Sequence, residues 1–421
     1  MSDYKGVQRP VCALAALTLG VVLLACFLST SNPAVSVTAA PLSSTTALRG
    51  PISGLSPCGL AVYYGQLDAS TVEQLKDFDL VVLHPQHGSV TRTQVAALQA
   101  AGVIVLGYVS IGEEPPLAGI TPISGDGLGP VYFSSGVSCT GVISRQCGNA
   151  GVSSHYLDED GHDGVPDVNG AWGSYYVDPA SPVWRDRVKT CNMVTDASCS
   201  FYGTDYVLNT LGCDGVFLDT VDTASPWYVY AYTLDSMAEA VCGVADRYPD
   251  KYVVLNRGIF YADAVYGADT IRPCINGIVF ESYYSEWNWG EGKGKISPWF
   301  PDNRDVWAPK LDEQANLPDG YTVFALDYFA ATQPLSIAAQ ITETVQRWGW
   351  IDYVSTPMLD TVRRDVWQYC HQSVTVSLPI VLRDYPASQI AVRDLWYMDG
   401  DLPVVDIPDL DEVTSQPSRE Q

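Results

Sequence analysis

The chain has 421 residues, of which 47% are hydrophobic. This is enough for one large catalytic domain with appended segments, or for two ordinary domains. A formal net charge of −25 at pH 7 disfavours nucleic acid and anionic membrane surfaces as partners. The five histidines show no metal-ligand spacing and no Gly-x-Ser-x-Gly occurs, which disfavours metal-dependent deacetylases and nucleophile-elbow hydrolases.

The N-terminal segment has the composition of a targeting sequence. Lys5 and Arg9 precede an apolar run of a length between those of a signal peptide and a membrane-spanning helix. Residues 1–30 are predicted to be a signal peptide or membrane anchor, with lipoprotein-type processing at Cys26 as an alternative. Residues 31–56 are predicted to be a flexible linker. Every alternative predicts an extracellular or cell-surface anchored protein that meets a membrane only through this segment.

Eight short apolar runs, bounded by Gly, Asp or Asn, alternate with helical patterns. The predicted strands are Leu60–Gly65, Asp79–His84, Val103–Ser110, Val216–Leu218, Tyr252–Asn256, Gly277–Glu281, Tyr321–Asp327 and Ile351–Ser355. The predicted helices are Thr71–Phe78, Thr91–Ala101, Pro182–Cys191, Leu234–Tyr248 and Pro334–Gly349. This alternation predicts an α/β fold, a (β/α)8 TIM barrel with a loop insertion after strand three. A doubly wound open sheet is the alternative, although no Gly-x-Gly-x-x-Gly follows any strand.

The domain prediction places the barrel at residues 57–360, a C-terminal extension at residues 361–398 and an acidic disordered tail at residues 399–421. The protein is predicted to be a monomer.

Eleven cysteines, two of them in the targeting segment, leave nine for an oxidising compartment. Cys139 with Cys147 and Cys191 with Cys199 are the predicted disulfides because each pair closes a short loop. The odd count leaves at least one cysteine free or paired outside the domain.

The insertion contains an Asp/Gly-rich loop that resembles the calcium loops of thrombospondin type 3 repeats. Asp158, Asp160, Asp163 and Asp167 are its candidate ligands for a structural calcium ion, because closely spaced carboxylates in a tight loop can wrap a hard cation. A polar surface loop without metal is the alternative. No cofactor is predicted for catalysis.

Acidic residues recur where the predicted strands end. Asp219 and Asp222 follow the fourth strand, Glu113 follows the third, Glu281 ends the sixth and Asp327 ends the seventh. Active sites of parallel α/β folds form at the carboxyl ends of strands. One such residue could merely cap a helix, but several converging acids point to chemistry. Like charges held close raise at least one pKa, and two carboxylates flanking a bond are the minimum for glycoside hydrolysis.

Aromatic and amide side chains accompany these acids, as expected of a site in which sugar rings stack on flat faces. The predicted substrate-binding residues are Tyr64, Tyr108, Glu113, Asp222, Asn256, Arg257, Tyr283, Tyr284, Trp287, Asp327 and Tyr328.

Three ordered motifs resemble those of glycoside hydrolase family 114. They are Gly107–Glu113 (GYVSIGE), Asp214–Asp222 (DGVFLDTVD) and Ile278–Ser282 (IVFES), and Tyr175–Pro179 (YYVDP) also matches bacterial members. The family comprises endo-α-1,4-polygalactosaminidases and is related to the hydrolase domain of the Pel polysaccharide system. The resemblance covers about residues 59–358. It implies a (β/α)8 barrel and internal cleavage of a galactosamine- or N-acetylgalactosamine-containing polysaccharide.

The resemblance also implies that Asp219 is the nucleophile and Glu281 the general acid/base. The residues themselves favour the same pair, since the aromatic loop after Glu281 is expected to raise the pKa of that carboxyl, while the polar loop after Asp219 is expected to keep it ionised. In an alternative interpretation, Asp219 only orders its loop and Glu281 pairs with Arg257. At the level of the whole protein, the alternative is a non-catalytic glycan-binding barrel at the cell surface. The acidic charge favours a partly cationic polysaccharide.

Overall fold

A computed structural model describes residues 49–86, 89–115, 155–157 and 167–371. The predicted targeting segment, most of the linker and the acidic tail lie outside the described residues, as do Cys139 and Cys147. Within the described part of the chain, no helix is long and apolar enough to cross a membrane.

Eight parallel strands form one sheet, and this confirms the predicted barrel. Its strands are β1 (Leu60–Tyr63), β2 (Leu80–Leu83), β3 (Ile104–Ser110), β6 (Gly215–Asp219), β7 (Tyr252–Asn256), β8 (Gly277–Glu281), β11 (Thr322–Tyr328) and β12 (Ile351–Ser355), hydrogen-bonded in that order. Both faces of the sheet are covered, so nearly every strand residue is buried. This explains why the strands appear in the sequence as continuous apolar runs rather than as alternating ones.

The first and last strands nearly close the barrel. Hydrogen bonds flank the junction on both sides, since the Asp352 backbone N–H donates to Pro57 O at 3.1 Å and the Tyr64 N–H donates to Leu359 O at 2.6 Å. All eight carboxyl ends therefore surround one mouth.

The helices begin where the sequence supplies a cap. Asp68 accepts the Thr71 N–H at 2.7 Å, and Thr91 forms a capping box with Gln94. The α-helices are α1 (Ala69–Leu75), α2 (Arg92–Gln99), α3 (Pro182–Thr190), α4 (Leu234–Arg247), α5 (Ala268–Ile271), α6 (Phe300–Asp302), α7 (Ala308–Ala315) and α8 (Leu335–Gln346). Short 3-10 turns cover Val221–Ala224, Ala231–Thr233, Ile259–Ala262, Ala264–Tyr266 and Arg272–Cys274, and π-helical turns cover Tyr206–Leu211 and Asn303–Trp307.

Two small antiparallel sheets rise from the mouth. One pairs β4 (Glu113–Glu114) with β5 (Tyr175–Tyr176), which ties the far side of the insertion to the end of β3. The other is a hairpin of β9 (Ser285–Asn288) and β10 (Lys293–Ile296), which follows β8 directly. This second segment was predicted from the sequence as a loop.

Three disulfides join described cysteines. Cys191–Cys199 confirms one of the two predicted pairs, and Cys242–Cys274 links α4 to the turn after α5. Cys58–Cys370 joins the start of the barrel to a helix at residues 364–371, whose Val366 belongs to the same core. The first part of the predicted C-terminal extension is therefore packed against the barrel. Among the described cysteines, Cys213 is a buried free thiol.

Candidate active site

Four polar side chains end four neighbouring strands of the barrel. Asp219 is the last residue of β6, Asn256 of β7, Glu281 of β8 and Tyr328 of β11. Because these strands are parallel and adjacent, their ends lie side by side at the mouth.

One amide group bridges the two predicted catalytic carboxylates. Asn256 Nδ2 donates to Asp219 Oδ1 and to Glu281 Oε2, each at 2.8 Å. Because both oxygens lie 2.8 Å from the same nitrogen, the distance between Asp219 Oδ1 and Glu281 Oε2 cannot exceed 5.6 Å. Asn256 is itself 4% exposed, so the bridge is held by a side chain that has little freedom to move.

The residues directly after Asp219, Asn256 and Glu281 share the same rare backbone conformation. Thr220, Arg257 and Ser282 have φ values of 62°, 61° and 60°, in the left-handed region that non-glycine residues seldom adopt. Each is held by neighbouring strands. The Arg257 N–H donates to Val279 O at 3.0 Å and the Ser282 N–H to Leu326 O at 2.7 Å. Such conformations persist only where the surroundings over-determine them, and they cluster at functional sites.

Thr220 also depends on a glycine in the GYVSIGE motif. Its Oγ1 accepts the Gly112 N–H at 2.8 Å, and a Cβ on Gly112 would lie 2.0 Å from the Thr220 carbonyl oxygen. Only glycine permits this close approach. The motif therefore fixes the turn that follows Asp219.

The surroundings of Asp219 change the pKa of its carboxyl. Burial and the nearby charge of Glu281 raise the pKa of its carboxyl to about 6, against stabilising hydrogen bonds from Asn256 and the Tyr108 hydroxyl. From the sequence, the polar loop after Asp219 is expected to keep this carboxyl ionised. A pKa of about 6 leaves it ionised at pH 7, and its neighbours are Asn256, Tyr108 and Glu281.

Tyrosines surround the pair. The Tyr328 hydroxyl donates to Glu281 Oε1 at 2.7 Å. The pKa of Tyr64 is raised well above its usual value by burial and then by the charges of Asp219 and Glu281. Tyr64 packs edge-on against Tyr108, with ring centroids 5.4 Å apart. These hydroxyls remain protonated donors, which suits them to hold carboxylates or sugar oxygens.

A second group of charges lies beside the pair. Arg257 Nε is 3.4 Å from Asp222 Oδ2, so the partner of Arg257 is Asp222 and the alternative pairing with Glu281 is not observed. Burial raises the pKa of Asp222, while Arg257 lowers it. Burial also raises the pKa of Glu113 to about 7, with smaller contributions from Asp222 and Asp219.

Two of the predicted sugar-binding acids accept hydrogen bonds from other residues of the protein. Glu113 accepts hydrogen bonds from Asn169 Nδ2 at 2.9 Å and from Ser174 Oγ. Asp327 Oδ1 accepts the backbone N–H groups of Tyr284 and Ser285 at 2.9 and 2.6 Å. Both are buried, and each tethers a hairpin.

Two predicted sugar-binding tyrosines lie in the core. Tyr283 is fully buried and its hydroxyl accepts the Trp348 indole N–H at 2.8 Å. Tyr284 is also buried, with its ring centroid 4.7 Å from that of Phe300. The Tyr283 ring also packs against Phe280 of β8 and Phe300 of α6, with centroids 5.2 and 5.6 Å away. Trp287, on β9, is half-buried.

The candidate calcium ligands are described only in part. Asp158, Asp160 and Asp163 lie outside the described residues. Asp167 is fully buried and accepts the Tyr230 hydroxyl at 2.7 Å. Within the described ranges, no three His, Cys, Asp or Glu side chains are grouped so that they could hold a metal ion.

Several residues of the site were not predicted from the sequence. His84 follows β2 and stacks on Tyr108, with centroids 4.3 Å apart. Asp219 was chosen because it lies at the carboxyl end of a strand, and the same criterion could have identified His84. Asn169 and Ser174 lie in the insertion, where no periodic pattern marks them.

No protein-family model and no curated protein matches the sequence. Among solved structures, the glycoside hydrolase domain of PelA from Pseudomonas aeruginosa is similar, with 20% identity and a TM-score of 0.51 over 73% of this chain and 98% of that domain. The complex of Aspergillus fumigatus Ega3 with galactosamine is similar at 13% identity and a TM-score of 0.43, over 75% of this chain and 96% of that one. The first similarity establishes the fold.

Proposed function

We propose that the protein is an extracellular or cell-surface glycoside hydrolase that cleaves a galactosamine- or N-acetylgalactosamine-containing polysaccharide internally. The observation that carries this proposal is the pair Asp219 and Glu281, held within 5.6 Å of each other by the Asn256 amide at the mouth of the barrel. Neighbouring carboxylates at a barrel mouth are the arrangement that glycosidic bond cleavage needs.

The two bridged oxygens, Asp219 Oδ1 and Glu281 Oε2, lie at most 5.6 Å apart, and this closeness favours retention of configuration. Retaining enzymes hold their carboxyls about 5–5.5 Å apart, whereas inverting enzymes need about 6.5–9.5 Å to admit a water molecule. In the proposed reaction Asp219 attacks the anomeric carbon while Glu281 protonates the leaving oxygen, which gives a covalent glycosyl-enzyme. Glu281 then takes a proton from water as the water displaces Asp219 and restores both carboxyls.

The charge balance supports an amino sugar as the substrate. Asp219, Asp222, Glu281 and Glu113 lie together with Arg257 as their cationic neighbour. A surplus of negative charge in a partly enclosed site attracts a cation and speeds its encounter. Free amino groups on the polysaccharide supply such a cation.

A non-catalytic glycan-binding barrel is the competing function. A binding module has no need for two carboxylates bridged by one amide. It also has no need for a residue in the left-handed conformation directly after each of the two carboxylates and after the bridging Asn256. The enzyme is therefore the better-supported function.

The test is the release of reducing ends from a panel of polysaccharides, including α-1,4-linked galactosamine polymers at several degrees of acetylation. The proposal expects cleavage of a galactosamine-containing polymer into oligosaccharides of mixed length. Binding to such a polymer without any release would favour the non-catalytic barrel.

A further inference from the structure

Two hairpins at the mouth meet tip to tip through exposed tryptophans. Trp172 and Trp289 are 63% and 65% exposed, and their ring centroids are 6.4 Å apart with the planes at 75°. An edge-to-face contact of this kind is a favourable arrangement for two aromatic rings. The remaining indole surface is left in water.

Both tips are well defined by local hydrogen bonds. Trp172 lies in the turn between Val168 and Tyr175, which form an antiparallel bridge, and the Asn169 N–H donates to Ser174 O at 2.8 Å. Trp289 lies in the turn between β9 and β10, where Asn288 Oδ1 accepts the Gly290 N–H at 3.1 Å.

Each hairpin is tethered to the barrel by one buried carboxylate. Glu113, just after β3, accepts from Asn169 and Ser174 on either side of the first turn. Asp327, in β11, accepts the backbone N–H of Ser285, where the second hairpin begins. The positions of the indoles are therefore set by groups that lie at the mouth.

The contact spans the strand ends that carry the bridge of Asp219, Asn256 and Glu281. The first hairpin is tied to the end of β3, and the second leaves the end of β8. In the sheet, β6 and β7 lie between those two strands, and they end in Asp219 and Asn256. The joined tips consequently connect the two sides of the mouth across this part of the site.

We propose that Trp172 and Trp289 form an aromatic clasp that holds an amino-sugar ring of the polymer beyond the two rings that flank the reacting bond, a subsite that rests on the proposed function. The apolar face of a sugar ring stacks on an indole, and an ammonium group is attracted to the indole face, for which tryptophan is the best of the aromatic side chains. Stacking of a sugar ring on the indole faces that remain in water buries apolar surface that is otherwise exposed.

The experiment compares Trp172→Ala and Trp289→Ala with Trp299→Ala, which removes an indole of similar exposure, 66%, from outside the contact. Binding of α-1,4-linked galactosamine octamers and dimers is measured by calorimetry in a Glu281→Gln background, so that the oligomers are not cleaved, and kcat and KM are measured on the polymer without that change. Trp172→Phe tests whether a smaller aromatic ring restores binding. Because these side chains are exposed, the variants are expected to fold, and circular dichroism checks this.

The clasp predicts that each of the two variants binds the octamer about tenfold more weakly, which corresponds to 1.4 kcal/mol. It also predicts a raised KM for the polymer, an unchanged kcat, unchanged dimer binding and partial recovery in Trp172→Phe. Octamer binding equal to that of Glu281→Gln alone, or weakened equally by Trp299→Ala, would overturn the clasp, while cleavage by the wild type leaves the proposed function intact. A wild type that neither binds nor cleaves the polymer would overturn both.

Discussion

Replacing Asp219 with asparagine should stabilise the protein while it removes activity. Burial and the Glu281 charge raise the pKa of the Asp219 carboxyl from 3.8 to about 6. At 1.36 kcal/mol for each pKa unit, the ionised group costs the native state about 3 kcal/mol above pH 6. The introduced amide would carry no charge, and its oxygen could still accept from Asn256. We therefore expect a gain of about 2–3 kcal/mol at pH 7.5.

The pH dependence of this gain is the sharper part of the prediction. Below the unfolded-state pKa near 4, Asp219 is neutral in both states, so the variant and the wild type should be equally stable. Between pH 4 and 6 the unfolded chain is ionised while the native carboxyl is still protonated, so the wild type loses stability as the pH rises. The advantage of Asp219→Asn should grow across this window and stay constant above it.

The assay is urea unfolding at pH 4, 5, 6 and 7.5 with the disulfides intact. Asp250→Asn, which changes an exposed carboxyl, serves as the control and should show no comparable pH-dependent gain. The reasoning would be refuted by an Asp219→Asn variant that is less stable than the wild type at pH 7.5, or by a gain that is the same at every pH.

Three further predictions concern the reaction and the insertion. The wild-type kcat/KM should fall as the pH drops below about 6, because a protonated Asp219 cannot attack; a profile that is flat to pH 4.5 would count against this role. Nuclear magnetic resonance of the first product should show the anomer of the bond that was cleaved, and the opposite anomer would exclude retention. Millimolar calcium should raise the melting temperature relative to chelator if the loop at residues 158–167 binds it in the native state; identical temperatures would remove the calcium site.

The barrel was predictable because burial on both faces makes each strand a short apolar run with a polar end. The runs at Tyr252–Asn256, Gly277–Glu281 and Ile351–Ser355 coincide with the observed strands, and the other five agree to within two residues at each end. Local patterns of this kind depend on neighbouring residues, so a sequence displays them directly.

The roles of the acids were only partly predictable. Asp219 and Glu281 come together because β6 and β8 end on either side of β7, whose Asn256 bridges them, and the strand-end rule anticipates this convergence. Glu113 and Asp327 obey the same rule, yet they accept hydrogen bonds from Asn169 and from backbone groups of the β9 hairpin. Which donors reach a carboxyl depends on hairpin geometry, which composition does not encode.

The disulfide between the two ends of the barrel domain was not predicted from the sequence. Cys58 and Cys370 are 312 residues apart, and they pair because the fold brings the start of the barrel next to a helix after the last strand. The Cys191–Cys199 loop was predictable because the two residues are close along the chain itself.

The most direct test of the central claim is the release of reducing ends by the wild type, Asp219→Asn and Glu281→Gln from a galactosamine polymer that the wild type cleaves. Both substitutions are nearly isosteric, so both variants should fold and bind the polymer. The account predicts that each loses at least a thousandfold in kcat, about 4 kcal/mol of transition-state stabilisation. Wild-type turnover in two correctly folded variants would contradict the assignment of the catalytic pair.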